Sequence, residues 1–181
     1  MRTSFTAQPV VLEIEPSGSR SAIGACHKSL IAFHACWDAK RGNRRMPSRA
    51  DFHSEDLKPF QALLCLIDVV PDERRYIYRL VGPRDIEMRG YDPTGKSVKE
   101  GYYGESAEGT TRYLGRVVLA RNPILYRGVY HPSANRVEQD EVLFLPLSEN
   151  GVDVDQIMFL SHTDWLEDYD PITTARTLLR W

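Results

Sequence analysis

One stretch of the sequence matches a phosphate-binding motif in its spacing. Residues 90–97 read Gly-Tyr-Asp-Pro-Thr-Gly-Lys-Ser, which fits the Gly-x-x-x-x-Gly-Lys-Ser pattern of nucleotide-binding loops. A true loop of this kind follows a buried strand and opens a helix, so that backbone N–H groups and the helix dipole face the phosphates. Here a charged segment precedes the motif, no helical pattern follows it, and Pro93 removes one N–H group. Nucleotide binding through Gly90–Ser97 is therefore an alternative hypothesis and not the preferred one.

Histidines and cysteines could also supply chemistry. His27 and His34 are seven residues apart and would share a helical face with Trp37, a placement that suits a haem or metal ligand but is more typical of an apolar stripe. The three cysteines form no Cys-x-x-Cys pair, so the sequence predicts reduced thiols, as in a cytoplasm, and no zinc site. Cys65 lies in an apolar run, where a thiol is expected to be inert. The sequence identifies no metal ligand and leaves any cofactor unknown.

Motifs of hydrolytic catalysis are missing from the sequence. Neither Gly-x-Ser-x-Gly nor His-Glu-x-x-His occurs. The carboxylates Glu138, Asp140 and Glu141 follow a predicted turn, and we interpret them as the solvated side of a strand. The sequence therefore predicts a protein that is not an enzyme.

Composition limits the classes of partner. The chain has 181 residues and a formal net charge of -2, so no strong overall field attracts nucleic acid or an anionic membrane. The most basic run, Lys40–Arg49, is interpreted as a solvated linker in preference to a phosphate or RNA site. No apolar stretch is long enough for a signal peptide or a membrane span. We expect a cytoplasmic protein with neither nucleic-acid nor membrane partners.

Apolar periodicity and turn residues define the elements that position these side chains. Residues 1–20 are interpreted as an extended leader, with a short strand over 10–14 as an alternative that Pro16 would end. A helix is predicted within 21–41, because apolar residues recur at three- and four-residue steps as far as Trp37. A nearly continuous apolar run predicts a buried strand within 62–70, and alternation predicts a second strand from Tyr76. The remaining predicted elements are a short amphipathic helix after Gly82-Pro83, a helix over 106–121, strands over 124–130, 137–147 and 154–161, and a final helix over 171–180 in the tail, 162–181.

One carboxylate lies inside the first apolar run. A carboxylate buried without a partner is costly. With a four-residue connection over 72–75, Asp68 would stand opposite Arg79 on the next strand. We therefore predict an Asp68–Arg79 pair, with exposure of Asp68 at the sheet edge as the alternative.

Several segments resemble a bacterial family of PAS domains. Tyr78–Gly82 reads Tyr-Arg-Leu-Val-Gly, as in that family, and the turn from Gly90 is similar to its Gly-x-Asp-Leu-Thr-Gly. Upstream, Met46–Phe52 resembles the family's Leu-Pro-Ser-Arg-Ala-Asp-Phe, and Val142–Ser148 resembles its Leu-Pro-Leu-Ser stretch. The resemblance extends, with gaps, from Trp37 to Leu160.

The resemblance implies an α+β fold. The expected architecture is a PAS-like five-stranded antiparallel sheet with helices on one face, preceded by the N-terminal amphipathic helix, in a single domain over 21–161. Two departures from the family pattern, Pro83 in place of Thr and Pro93 in place of Leu, fall where the chain enters and leaves the small helix.

Aromatic and long side chains converge on the expected gap between the sheet and the helices, with arginines available for a carboxylate ligand. The candidate ligand-binding residues are Tyr78, Arg79, Arg84, Met88, Tyr91, Tyr113 and Tyr126. Each of them, taken singly, is more typical of a core position.

We interpret the chain as a stand-alone PAS-type sensory or regulatory domain that binds a small molecule or a partner protein. The family habit and the apolar helix stripe predict a homodimer that signals through protein association, with a signalling protein as a candidate partner. The alternative is a small enzyme on a related α+β frame, of the isomerase or hydratase kind. That enzyme would need a buried histidine or carboxylate with a shifted pKa in the pocket.

Overall fold

The computed structural model describes residues 9–14, 23–102, 106–133 and 136–166. The strands of this part of the chain are β1 (Val10–Glu13), β2 (Cys65–Val69), β3 (Tyr76–Val81), β4 (Ile124–Ser133), β5 (Arg136–Leu147) and β6 (Gln156–Leu166). They form one sheet in the order β1-β4-β5-β6-β2-β3, in which each neighbouring pair is antiparallel. The helices are α1 (Lys28–Arg41), α2 (Ser54–Leu57), α3 (Pro83–Arg89), α4 (Val98–Gly101) and α5 (Ala107–Ala120).

The sheet has six strands, where the sequence predicted five. The additional strand is β1, which lies in the segment interpreted as an extended leader. It pairs with the edge of β4, with Val10 opposite Arg127 and Glu13 opposite Ile124. The pairing forms because a short β-branched run can cover an edge whose backbone groups otherwise face solvent.

Successive residues of β4 define the two faces of the sheet, because side chains alternate along a strand. Tyr126 points to the face on which α5 packs, where its ring lies 4.9 Å from that of Tyr113. Arg127 points to the opposite face, where its guanidinium contacts Cys26, just before α1. We call the Tyr126 side the inner face and the Arg127 side the outer face.

The N-terminal helix is confirmed in type, with an interruption: Ile23 and Gly24 are helical, residues 25–27 are not, and α1 then extends from Lys28 to Arg41. Residues Leu30, Phe33 and Trp37 form its buried side. The indole Nε1 of Trp37 donates a hydrogen bond of 2.8 Å to the carbonyl oxygen of Pro146 in β5. The apolar stripe is therefore packed against the outer face of its own sheet.

The predicted Asp68–Arg79 pair is wrong. Asp68 stands opposite Ile77, because Val69 already pairs with Tyr76 and the connection between β2 and β3 therefore has six residues, 70–75, and not four. The carboxylate of Asp68 instead accepts a hydrogen bond of 2.7 Å from the Nε2 amide of Gln156 on β6. Arg79 is exposed. A connection two residues longer than predicted moved the neighbour of Asp68 by two positions along β3.

A close backbone contact sets the position of α3. At Gly82 a Cβ atom would lie 2.5 Å from the carbonyl oxygen of Ala62, so only glycine fits there. The N–H of Arg84 donates to that same oxygen at 2.9 Å. Pro83 occupies the first helical position, where its missing N–H costs nothing. This departure from the family pattern is therefore compatible with the helix.

The helix predicted over 106–121 is confirmed as α5. The Oγ of Ser106 accepts a hydrogen bond from the N–H of Gly109 at its start, and Arg121 takes a left-handed conformation at its end. The last strand, β6, continues to Leu166, five residues beyond the predicted end at 161. The helix predicted over 171–180 lies outside the described residues.

Candidate functional site

A buried polar cluster ties α3 to the inner face of the sheet. The Nε of Arg89 lies 2.8 Å from Oδ2 of Asp85, and the thiol of Cys65 donates to the same oxygen at 3.3 Å. The Nη1 of Arg89 also donates to the hydroxyl of Tyr78 at 3.4 Å and to the carbonyl of Gly101, in α4, at 2.8 Å. We call these five residues the Arg89 cluster. It joins two strands and two short helices through one guanidinium.

The central ion pair of this cluster was not predicted from the sequence. The short helix after Gly82-Pro83 was predicted to be amphipathic, without an assignment of its buried side. Asp85 and Arg89, four apart, point inward, and Met88 is 44% exposed. Opposite charges four residues apart in a predicted helix are the sequence pattern from which this ion pair could have been predicted.

The protonation states in the cluster follow from burial. Burial raises the pKa of the Cys65 thiol well above its ordinary value, so the thiol stays protonated. Burial also raises the pKa of Tyr78, although Arg89 opposes the shift. Burial lowers the pKa of Arg89, but Tyr78 and Asp85 outweigh it and the pKa is raised. The cluster is thus a buried ion pair with one neutral donor, the Cys65 thiol, and one neutral acceptor, the Tyr78 hydroxyl, which suits a structural clamp.

A second inner-face site surrounds the ring of Tyr113. Its side chain is 8% exposed and tilts against Tyr126 on β4. The Tyr113 hydroxyl oxygen is buried and forms no hydrogen bond with any residue that the structure describes. The ring of Tyr126 lies over Gly128, where a Cβ atom would overlap the hydroxyl of Tyr126. A buried hydroxyl without a partner costs roughly 1–3 kcal/mol, so this one is a notable exception to normal packing.

The structure brings three of the seven sequence-predicted site residues to the inner face and leaves four at the surface. The buried ones are Tyr78, Tyr113 and Tyr126. The exposed ones are Arg79, Arg84, Met88 and Tyr91. Arg79 is exposed because it follows the inward-pointing Tyr78 on a strand. The ring of Tyr91 contacts the ammonium of Lys96, 5.1 Å from the ring centroid, in a surface loop.

The outer face carries a buried ion pair under the start of α1. The Nη2 of Arg127 lies 2.6 Å from Oε1 of Glu141. The other oxygen of Glu141 accepts a hydrogen bond of 2.8 Å from the N–H of His27. The interpretation of Glu141 as a solvated strand residue is therefore wrong, since it is 4% exposed. It is buried because an arginine stands directly opposite on β4, a relationship that no local pattern reveals.

The two helical histidines do not form a metal site in the described residues. His27 stacks on His162 of β6, with ring centroids 3.5 Å apart, and His34 packs beside Trp37. No group of three or more histidine, cysteine or acidic side chains in the described ranges is placed to hold a metal ion. The arrangement favours the interpretation of both residues as part of the helix–sheet interface.

The phosphate-loop motif has no cradle of available N–H groups. Its N–H groups at Thr94 and Ser97 donate to the side chains of Asp92 and Glu100. Those of Gly95 and Lys96 donate to backbone carbonyls. A helix, α4, does follow the motif, contrary to the sequence expectation, but it has only four residues and its own capping box. The motif serves to pair this loop with the edge of β3, as an isolated bridge between Ile77 and Ser97 shows.

The basic run over 40–49 is engaged in local ion pairs. Lys40 pairs with Asp56 at 2.7 Å, and Arg44 pairs with Asp51 at 2.8 Å. The Arg45 guanidinium donates to the carbonyl of Ala120 at the end of α5. These contacts favour the interpretation of the run as a connecting segment.

Comparison with protein families identifies the class. The family described as "PAS domain" matches residues 25–160, about three quarters of the chain, and the protein belongs to it. PAS domains are sensory and regulatory domains, typically without enzymatic activity. No curated protein matches the chain in sequence. In the described residues, no helix combines the length and the apolar character that a membrane crossing needs.

Solved structures of PAS and light-oxygen-voltage domains are similar at low identity. An RNA-binding light-oxygen-voltage receptor is 12% identical over 98% of this chain and 43% of its own, with a TM-score of 0.45. This chain thus spans less than half the length of that receptor. The PAS domain of an HTR-like protein from Haloarcula marismortui is 20% identical over 61% of this chain and 91% of its own, with a TM-score of 0.39. The light-oxygen-voltage protein of Rhodobacter sphaeroides is 13% identical over 62% of this chain and 68% of its own, with a TM-score of 0.39.

Proposed function

We propose that this PAS domain senses a small molecule that binds on the inner face of the sheet, beside Tyr113 and Tyr126. The observation that carries the proposal is the buried, unpartnered hydroxyl of Tyr113. A ligand that hydrogen-bonds this hydroxyl would remove the free-energy cost of its burial. Binding at this position would therefore be coupled to the stability of the domain.

The surroundings define the chemistry of such a ligand. Tyr113 and Tyr126 offer two aromatic surfaces. Leu114 and Val117, which lie close to Tyr113 in the sequence of α5, are fully buried apolar residues. A compact, largely apolar molecule with a single polar atom fits these surroundings. The exposed Arg79 and Arg84 lie outside this region, so a carboxylate held by them is no longer part of the proposal.

The Arg89 cluster supports binding in preference to catalysis. The alternative enzyme needs a buried carboxylate or histidine that is available to move a proton. The buried carboxylate on the inner face is Asp85, and it is already engaged by Arg89 and by the Cys65 thiol. A carboxylate oxygen that accepts from two buried donors is held in place, which supports a structural role for Asp85.

Signalling would proceed through association with a second copy or another protein. The predicted homodimer rested on the apolar stripe of α1, and that stripe is buried on the sheet of the same chain. A dimer would need a different surface or the release of α1. Homodimerisation stays a prediction.

Native mass spectrometry of the purified protein tests the proposal. We expect a non-covalent mass above that of the denatured chain, and the Tyr113→Phe variant should lose it. A bare chain in both spectra would contradict ligand binding. The same spectra give the oligomeric state.

A further inference from the structure

A row of three charged or titratable residues crosses the outer face beneath the start of α1. Arg127 on β4 stands opposite Glu141 on β5, which stands opposite His162 on β6. Side chains directly opposite on neighbouring strands point to the same face. His162 therefore lies next to the buried ion pair, and its ring stacks against His27 with an interplanar angle of 7°.

His27 begins the N-terminal helix in its neutral form. Its Nδ1 accepts a hydrogen bond from the N–H of Ser29, which is the role of an N-cap side chain. Nδ1 also lies 2.8 Å from Oγ of Ser29. Acceptance from the Ser29 N–H requires a lone pair on Nδ1, so a proton there removes this cap and leaves only the contact with Oγ. The backbone N–H of His27 is held by Glu141, which supplies a negative charge at a helix start that has no acidic residue of its own.

Protonation of His27 would oppose this arrangement in three ways. It would abolish the N-cap acceptor and place a positive charge at the positive end of the helix dipole. It would also set that charge 3.5 Å, centroid to centroid, from the ring of His162, against which the neutral ring of His27 stacks. All three effects weaken the attachment of α1 to the sheet.

The charged groups around His27 do not all act in the same direction. Burial lowers the pKa of His27, and His162 and Lys28 lower it further, while Asp164 and Glu141 raise it. Arg127 adds a positive charge beyond Glu141, and the neighbouring Cys26 has its pKa raised to about 11, so its thiol is neutral. The pKa of His27 is lowered when these groups are summed.

We propose that His27 and His162 form an acid-sensitive latch that holds the N-terminal helix on the outer face of the sheet. With His27 neutral, α1 is capped and docked. When His27 takes up a proton, the helix start separates from Glu141 and His162. The outer face and the buried side of α1 then become available to another protein. The latch is independent of the ligand site on the inner face.

The direction of the pH dependence follows from linkage. The pKa of docked His27 lies below its ordinary value of 6.5, and it returns to that value when the helix is released. The released state therefore binds more protons. Docking is at full strength above the ordinary value and weakens as the pH falls below it, until the docked form is itself protonated.

Hydrogen–deuterium exchange of the full chain, read by mass spectrometry from about pH 7.5 to about pH 5.5, tests the latch. The quantity compared is the ratio of the protection factor of α1 peptides to that of α5 peptides. Because pH changes the intrinsic exchange rate of both sets of peptides alike, the ratio reports the docking of α1. The ratio should fall on acidification by up to about tenfold per pH unit for each histidine that titrates.

Two variants separate the charge from the ring. His27→Asn keeps an N-cap acceptor but cannot be protonated, and His162→Phe keeps a stacked ring without a charge. Both should dock α1 at neutral pH. His27→Asn should abolish the pH response, whereas His162→Phe should reduce it, because protonation of His27 still removes the N-cap acceptor. His34→Gln is the matched control, because burial also lowers the pKa of His34 on the same helix; it should retain the fall.

Three results would overturn the latch. The first is a constant ratio in the unmodified chain across the pH range. The second is a response that disappears in His34→Gln and persists in both other variants. The third is an α1 that is unprotected at neutral pH in both His27→Asn and His162→Phe, which would show that the rings hold the helix and the charge does not control it.

Discussion

Arg127 and Glu141 face each other across β4 and β5, and both side chains are more than nine-tenths buried. The Nε of Arg127 lies 2.8 Å, and its Nη2 2.6 Å, from the same carboxylate oxygen of Glu141. The second carboxylate oxygen binds the N–H of His27. One buried ion pair therefore connects the sheet to the N-terminal helix.

Removing one member of this pair should destabilise the fold strongly. Arg127→Met leaves a buried carboxylate, and Glu141→Gln leaves a buried guanidinium, each at a cost of about 3–5 kcal/mol in the free energy of unfolding. The double variant Arg127→Met/Glu141→Met should lose less than the sum, because neither charge is then left alone. Urea denaturation followed by circular dichroism measures all three. Additive losses would show that the two side chains are not coupled.

Two arginines of α3 should differ sharply in their effect on stability. Arg89→Met leaves Asp85 buried without its partner and should lower the free energy of unfolding by about 3 kcal/mol or more. Arg84→Met, in the same helix but exposed, should change it by less than about 0.5 kcal/mol. The comparison holds the helix and the substitution constant. Equal effects would contradict the buried position of the Arg89 cluster.

The three thiols should react with iodoacetamide at very different rates in the folded protein. Burial raises the pKa of all three, to about 11 for Cys26 and further for the fully buried Cys65, while Cys36 is only partly buried. Because the thiolate is the nucleophile, Cys36 should be labelled first and Cys65 last. Peptide mapping after timed quenching gives the order, and the differences should vanish in denaturant. Early labelling of Cys65 would mean that the inner face is open.

Local patterns predicted much of the fold. The amphipathic pattern of α5 and the alternation of Tyr76 and Tyr78 in β3 can be read from neighbouring residues alone. Both elements were therefore predicted. A short strand at β1 was an alternative from the sequence, but its place in the sheet was not predicted, because four residues gain stability only when the edge of β4 is present. The interruption of the predicted helix at 25–27 was not predicted, because the N–H of His27 is held there by Glu141, which is distant in the chain.

The candidate site was less predictable, since it depends on which side chains meet across elements. Tyr113 and Tyr126 were identified, because large aromatic residues in a helix and a strand tend to face the core. The ion pair of Asp85 and Arg89 was missed, and Glu141 was assigned to solvent, because burial of a charge depends on a partner that only the folded chain supplies. The orphaned hydroxyl of Tyr113 has no counterpart in any sequence pattern.

The measurement that tests the central claim most directly is native mass spectrometry of three proteins, each beside its denatured mass. The unmodified chain should carry an additional non-covalent mass. Tyr113→Phe should lose it, because the buried hydroxyl is its anchor, whereas Tyr91→Phe should keep it, because that tyrosine lies in a surface loop. A bare mass for all three proteins, or retention of the additional mass by Tyr113→Phe, would contradict a ligand bound at Tyr113.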